Sequence, residues 1–128
     1  MNQEKDGNNA YFYDTYALYE IAKGSENYKS YADKQITTSL MNVYELYYQL
    51  LKDNKEIIAE HFFKRLVTAC IDIKPEIIKI ASKFRKEEIK RKLSYIDCLG
   101  YSLAMHYNLK FLTGDKEFQH LKNVEFIK

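Results

Sequence analysis

Five short runs of apolar and β-branched residues punctuate the chain, at Ala10–Tyr13, Gln35–Thr38, Ala69–Ile73, Leu109–Leu112 and Val124–Ile127. Between them, apolar residues recur with helical spacing. In the clearest case Val43 is followed by Leu46, Tyr47, Leu50 and Leu51, which places all five on one face of a helix. Ile77, Ile80, Ala81 and Phe84 repeat in the same way after Pro75, a residue suited to a first helical turn. Ser94 opens another such stretch, with Ile96, Leu99, Gly100, Leu103, Ala104 and Tyr107 on one face. Further helices are predicted over Thr15–Lys23, ended by Gly24, over the more polar Ser25–Lys34, and from a cap at Asp53-Asn54 to about Thr68. Short strands alternating with helices predict an α/β domain with a mainly parallel sheet.

The bulk composition agrees and narrows the function. The 128 residues make one domain with room for a core, and 46% hydrophobic against 30% charged residues predicts a folded chain. The polar start, residues 1–9, reads as a disordered leader ahead of a single domain over residues 10–128. No run approaches the roughly 18 apolar residues of a membrane span. The start lacks the apolar segment of an export signal, which predicts a cytoplasmic protein with Cys70 and Cys98 reduced. Glycine is scarce, so no phosphate-cradling loop or nucleophile elbow is present. His61, His106 and His120 lie far apart, and no Cys/His set has zinc spacing. Any chemistry falls to carboxylates.

Asp14 and Asp115 each follow a predicted strand, where the carboxyl edge of a parallel sheet lines a ligand crevice. Asp97 lies near a helix start and Glu45 inside a helix. Each has an ordinary reading. Asp14 and Asp115 can cap the turns that follow them, Asp97 can form a capping box with Ser94, and Glu45 can sit in solvent opposite Leu46 and Leu50. The alternative treats them as a set. Several carboxylates in one crevice must take up protons or share a cation, and an all-oxygen donor set suits Mg2+ or Mn2+.

Four motifs carry a family resemblance. "YFYDTYAL" holds Asp14, "TTSLMNVYELYYQL" holds Glu45, "LSYIDCLGYSLAMHYNL" holds Asp97, and "KFLTGDKEF" holds Thr113, Asp115 and Phe118. In this order the chain from Tyr11 to Lys128 resembles the PIN-domain ribonucleases, most closely the VapC toxins of VapBC toxin–antitoxin systems. The resemblance implies a flavodoxin-like α/β/α sandwich with a parallel sheet of about five strands. It implies a divalent-metal endoribonuclease, with Asp14, Glu45, Asp97 and Asp115 as the catalytic, metal-holding acids and Mg2+ or Mn2+ as the ion. Thr113 would orient Asp115 and Thr15 would orient Asp14, while Glu117 is a less regular extra acid. Partners would be an RNA substrate, an antitoxin protein and a second copy of the chain, with no membrane. A housekeeping nuclease of RNA maturation and a non-catalytic RNA-binding PIN domain are the alternatives.

Lys83, Arg85, Lys86, Lys90, Arg91 and Lys92 face only Glu87 and Glu88 across one stretch. They are either a solvated helix end or a track for RNA phosphates. Of the twelve tyrosines, Tyr47 and Tyr107 read as core, and Tyr16, Tyr19, Tyr44 and Tyr48 as packing or partner contacts.

Overall fold

A computed structural model describes residues 10–128; the expected leader at residues 1–9 lies outside the described residues. Three strands form a parallel sheet in the order β1-β2-β3, with β1 at Tyr11–Tyr13, β2 at Lys110–Thr113 and β3 at Val124–Phe126. The helices are α1 (Thr15–Lys23), α2 (Lys29–Ala32), α3 (Leu40–Lys52), α4 (Glu56–Leu66), α5 (Pro75–Glu87) and α6 (Tyr95–His106). Short 3-10 turns lie at Glu26–Tyr28, Val67–Ala69 and Lys116–Phe118.

Strand side chains alternate between faces, and two cores result. Tyr13 and Leu112 point to one face and pack under α1, α3 and α4 with Leu18, Val43, Leu46, Leu50 and Leu66. Phe12 and Phe111 point to the other, under α5 and α6, with Ile77, Leu99, Leu103 and Phe118. These rings are register partners and stack at 6.0 Å between centroids. The expected α/β/α layering is therefore present, and the strands are parallel.

The other two expected strands shrink to one parallel bridge, Thr38 with Cys70. The segment nevertheless extends the sheet beyond β1, because the Tyr13 N–H donates to the Thr37 carbonyl at 2.9 Å. Neither run has room for a ladder. Ser39 already caps α3, and Ala69 still belongs to a 3-10 turn. The expected helix at Ser25–Lys34 is also broken, into a 3-10 turn and the four-residue α2. Its buried anchor, Tyr28, reaches inward to donate to the Ile127 carbonyl, and the backbone leaves helical geometry there. Asp53 and Asn54 do not cap α4; Lys55 occupies that position without a side-chain cap. On α3 and α5 the buried stripe is narrower than the spacing predicts, since Leu51 and Ile80 are exposed.

Helix α6 lies close to the sheet at Gly100. A β-carbon there would stand 3.0 Å from Phe12 Cε1 and 3.3 Å from Phe111 Cε1. Gly100→Val should therefore lower stability by about 1–3 kcal/mol, the usual cost of overpacking. Urea unfolding reads this as a lower midpoint at unchanged slope.

Candidate active site

In a parallel sheet each crossover helix runs back against its strands, so helix starts gather at the strands' carboxyl edge. All four acids arise there. Asp14 follows the last residue of β1, and Asp115 follows β2 by way of Gly114. Asp97 is in the first turn of α6, which leads into β2. Glu45 lies just past the first turn of α3, which starts two residues after Thr38, beside the end of β1.

Asp14 is the deepest, with only 2% of its surface exposed. It stands at the N-cap position of α1, yet its carboxylate makes no cap hydrogen bond. The Thr113 hydroxyl donates to Asp14 Oδ2 at 2.7 Å, while Oδ1 is buried and has no hydrogen-bond partner among the described residues. Burial pushes its pKa from 3.8 up to about 8, and the negative charges of Asp97 and Glu45 add to the rise. The Thr113 bond and the nearby Thr15 N–H pull the other way. Burial likewise raises Asp97 to about 6, with Asp115 and Glu45 adding to the rise and Ser94 opposing it. Each of the four acids thus shares a field with at least one other.

Asp97 and Asp115 are helix caps as well. Asp97 Oδ2 accepts from the Ser94 N–H at 2.8 Å, and the Ser94 hydroxyl accepts from the Asp97 N–H at 3.0 Å, a complete capping box. Asp115 Oδ1 accepts from the Glu117 N–H at 3.0 Å. Each cap occupies one oxygen and fixes the carboxylate's rotamer, leaving the other oxygen for a further partner.

The two threonines act differently from the expectation. Thr113 donates to the Asp14 carboxylate, and its hydroxyl also accepts from the Asp115 backbone N–H at 3.1 Å. It therefore ties the ends of β1 and β2 together. The Thr15 hydroxyl accepts from Asn42 Nδ2 at 3.0 Å and makes no side-chain bond to Asp14. Asn42 Oδ1 in turn accepts from the Ser39 hydroxyl at 2.6 Å. This buried Ser39-Asn42-Thr15 chain sets the rotation of α3, and Glu45 lies three residues beyond Asn42 on neighbouring surface. Sequence reading passed over Ser39 and Asn42. The signal was a polar residue one turn before Leu46, on the extension of an apolar stripe.

Gly114 separates Thr113 from Asp115 because nothing larger fits. A β-carbon would lie 2.3 Å from the Ile127 carbonyl oxygen and 2.4 Å from Tyr16 Cε1. Tyr16 is accordingly half-buried against this turn, and the half-buried Tyr19 hydroxyl donates to Asp53; Tyr44 and Tyr48 are the outward-facing ones. The basic stretch divides too. Arg85 stacks on Tyr95 and donates to the Leu93 carbonyl, and Arg91 pairs with Glu88, whereas Lys83, Lys86, Lys90 and Lys92 are exposed.

The PIN domain family matches residues 11–124. The chain belongs to the PIN domain family. Solved structures share this fold at low identity. A toxin–antitoxin complex from Klebsiella pneumoniae is 22% identical, with 91% of this chain and 96% of that chain covered and a TM-score of 0.73. The sarcin–ricin-loop-cleaving toxin VapC20 of Mycobacterium tuberculosis is 17% identical over 93% and 100%, with a TM-score of 0.77. VapBC2 from Rickettsia felis, bound to a promoter DNA fragment, is 21% identical over 92% and 98%, with a TM-score of 0.68. No curated protein matches the sequence at a significant level.

PIN domains generally use divalent metal ions, and this PIN domain's site can be tested against such an ion. Among the described residues no three His, Cys, Asp or Glu side chains form a ready-made metal cage. The donor chemistry nevertheless fits. Asp14 Oδ1 is a buried carboxylate oxygen without a partner among the described residues, and its charged form is disfavoured by burial and by two acidic neighbours. A hard cation relieves both defects, and bare carboxylates need one before they can close together. No helix among the described residues is long and apolar enough to cross a membrane.

A pH dependence follows. Asp14 and Asp97 hold their protons more tightly folded than unfolded, so the folded state binds more protons between about pH 4 and pH 8. Stability of the metal-free protein should therefore fall as pH rises through that window. Asp14→Asn should flatten the fall, most visibly above the Asp97 transition near pH 6. Thermal melts in chelator across the window measure both, and equal slopes in wild type and variant would contradict the assignment.

Proposed function

We propose that this PIN domain is a divalent-metal-dependent endoribonuclease and the toxin of a toxin–antitoxin pair. The observation that carries the catalytic part is the buried Asp14 carboxylate, with one oxygen unpartnered, in the field of Glu45 and Asp97. A carboxylate this deep is unfavourable to charge unless something positive shares it. Asp14, Glu45, Asp97 and Asp115 are assigned to hold Mg2+ or Mn2+. When bound, such an ion supplies a water of lowered pKa and charge to offset the developing negative phosphate.

The protein's own share is positioning. Thr113 holds Asp14 through Oδ2 and leaves Oδ1 for the ion. The two caps hold Asp97 and Asp115 by one oxygen each. Asn42 holds Thr15 against α3 and so fixes where Glu45 emerges. Lys83, Lys86, Lys90 and Lys92 are assigned to the RNA phosphates, with Arg85 and Arg91 bracing the segment that presents them.

Asp97→Asn separates capping from metal binding. The amide keeps an oxygen for the Ser94 N–H, so stability should change by no more than about 1 kcal/mol. RNA cleavage should nevertheless be mostly lost. Wild-type cleavage of a cellular RNA pool should stop in chelator and return with Mg2+ or Mn2+. Cleavage by the variant at the wild-type rate, together with indifference to chelator, would sink the metal reading.

The antitoxin reading has its own surface. A groove of about 460 Å³ between α3 and α4 is lined by Leu40, Val43, Tyr44, Tyr47, Glu60 and Phe63. Leu40, Tyr44 and Phe63 are large side chains left exposed there. We assign this groove to an apolar antitoxin segment, in keeping with the toxin–antitoxin complexes that share the fold. A homodimer belongs to the same proposal and is read by sedimentation velocity. Phe63→Asp should weaken capture by the product of an adjacent gene by about 30-fold or more, the scale of a central anchor. RNA cleavage by the free protein should stay intact. Undiminished capture would move the antitoxin off this groove.

A further inference from the structure

Glu117 is the acid closest in sequence to the site that the four-acid set leaves out. Lying two residues after Asp115, it invites reading as a fifth oxygen donor. Its hydrogen bonds lead elsewhere. Its Oε1 accepts from the Lys92 backbone N–H at 3.3 Å. Its own N–H donates to Asp115 Oδ1 at 3.0 Å, and its carbonyl accepts from an Arg91 terminal nitrogen at 3.0 Å. The carboxylate and carbonyl of this one residue hold two segments together, while its amide caps the turn at Asp115.

The opposite side is equally committed. Arg91 Nε donates to Glu88 Oε1 at 2.6 Å, which aims the guanidinium at the Glu117 carbonyl. Arg85 Nε donates to the Leu93 carbonyl at 3.2 Å and holds the same segment from α5. The next residue, Ser94, forms the capping box with Asp97. A continuous route therefore runs from the Asp115 carboxylate through Glu117, then Arg91 and Lys92, to Ser94 and the Asp97 carboxylate. Beside it, the same turn is tied to α6 by packing, with the Phe118 ring 5.7 Å from that of Tyr101.

We propose that Glu117 and Arg91 form a clasp that sets the spacing of Asp97 and Asp115, and that Glu117 is a positioning residue and not an ion donor. The proposal rests on the metal-dependent reading for its effect on activity. The clasp itself is a property of the folded chain. An ion shared by Asp97 and Asp115 needs their free oxygens at a fixed separation. The two acids come from different elements, and the clasp joins those elements at the surface.

Two kinds of substitution test this. Glu117→Gln keeps an acceptor for the Lys92 N–H and removes the charge. Glu117→Ala removes the acceptor for the Lys92 N–H, and Arg91→Met removes the bonds to the Glu117 carbonyl and to Glu88. Calorimetric titration of Mn2+ in the absence of RNA should give Glu117→Gln an affinity within about twofold of wild type, with Glu117→Ala and Arg91→Met weaker by about 10–100-fold. Cleavage at saturating RNA should follow the same order, and thermal melts establish that each variant is folded. In metal-free protein, the backbone amide resonances of Ser94, Asp97 and Asp115 should shift in Glu117→Ala and Arg91→Met and stay close to wild type in Glu117→Gln. If Glu117→Gln loses Mn2+ affinity as severely as Glu117→Ala, Glu117 is a donor and the proposal is overturned. Unmoved amide resonances in both disruptive variants overturn it as well, whether or not Mn2+ binds. Wild-type protein that neither binds Mn2+ nor cleaves RNA defeats the nuclease reading instead, and the clasp then stands or falls on the amide resonances alone.

Discussion

The site is organised around one unfavourable burial. Asp14 ends the β1 segment inside the domain, nearly sealed from water, with Thr113 satisfying one oxygen and nothing among the described residues satisfying the other. A buried carboxylate in that state is unfavourable whether it is charged or must hold a proton near neutral pH. The usual relief for an acid at a helix start is to cap the helix, but Asp14 does not cap α1. Its orientation is given instead to Thr113, across the strand pair. The core could have accepted an apolar residue there, as Phe12 and Tyr13 show immediately before it. The carboxylate at this position therefore adds nothing to the packing of the core, and it is the group on which the proposed metal site rests.

Around that group, ordinary structural devices do a second job. The capping box at Ser94 and the Asp115 cap are hydrogen bonds that any helix start would benefit from. Because each uses only one carboxylate oxygen, the same bond that stabilises a helix start also fixes the carboxylate's orientation and leaves its second oxygen outside the cap. Capping and metal binding, which compete as explanations when the residues are read singly, are compatible when the oxygens are counted. The buried Ser39-Asn42-Thr15 chain belongs to the same logic. It satisfies polar groups where α1 and α3 meet, and in doing so it holds the part of α3 that carries Glu45.

Most of this was legible in the sequence where the signal was local. The strand-then-acid order at Asp14 and Asp115, the Ser94–Asp97 pair and the Val43/Leu46/Leu50 stripe each depend on neighbours within a few residues, and the structure places them as the pattern predicts. What spacing could not carry was pairing between distant segments. Nothing near Thr113 announces that its hydroxyl will meet Asp14, ninety-nine residues away in sequence. The shortfall in strands has the same origin. Gln35–Thr38 and Ala69–Ile73 have strand composition, but a ladder needs length on both partners, and the caps that follow or the turns that precede leave only one bridge. Arg85 and Arg91 looked like members of a cationic track by composition. Their partners, the Leu93 carbonyl, Glu88 and the Glu117 carbonyl, make them braces.

Helix α3 joins the two surfaces assigned above. Its Val43, Leu46 and Leu50 face the core, Asn42 is pinned to Thr15, Glu45 is half-buried, and Leu40, Tyr44 and Tyr48 face outward. One residue along a helix is a rotation of about 100°, so Tyr44 and Glu45 necessarily serve different surroundings while sharing one rigid rod. The Asn42 contact holds that rod's rotation against α1 from inside the fold. The apolar groove and the proposed acid site therefore draw on two faces of a single element, whose rotation the same buried hydrogen bonds hold.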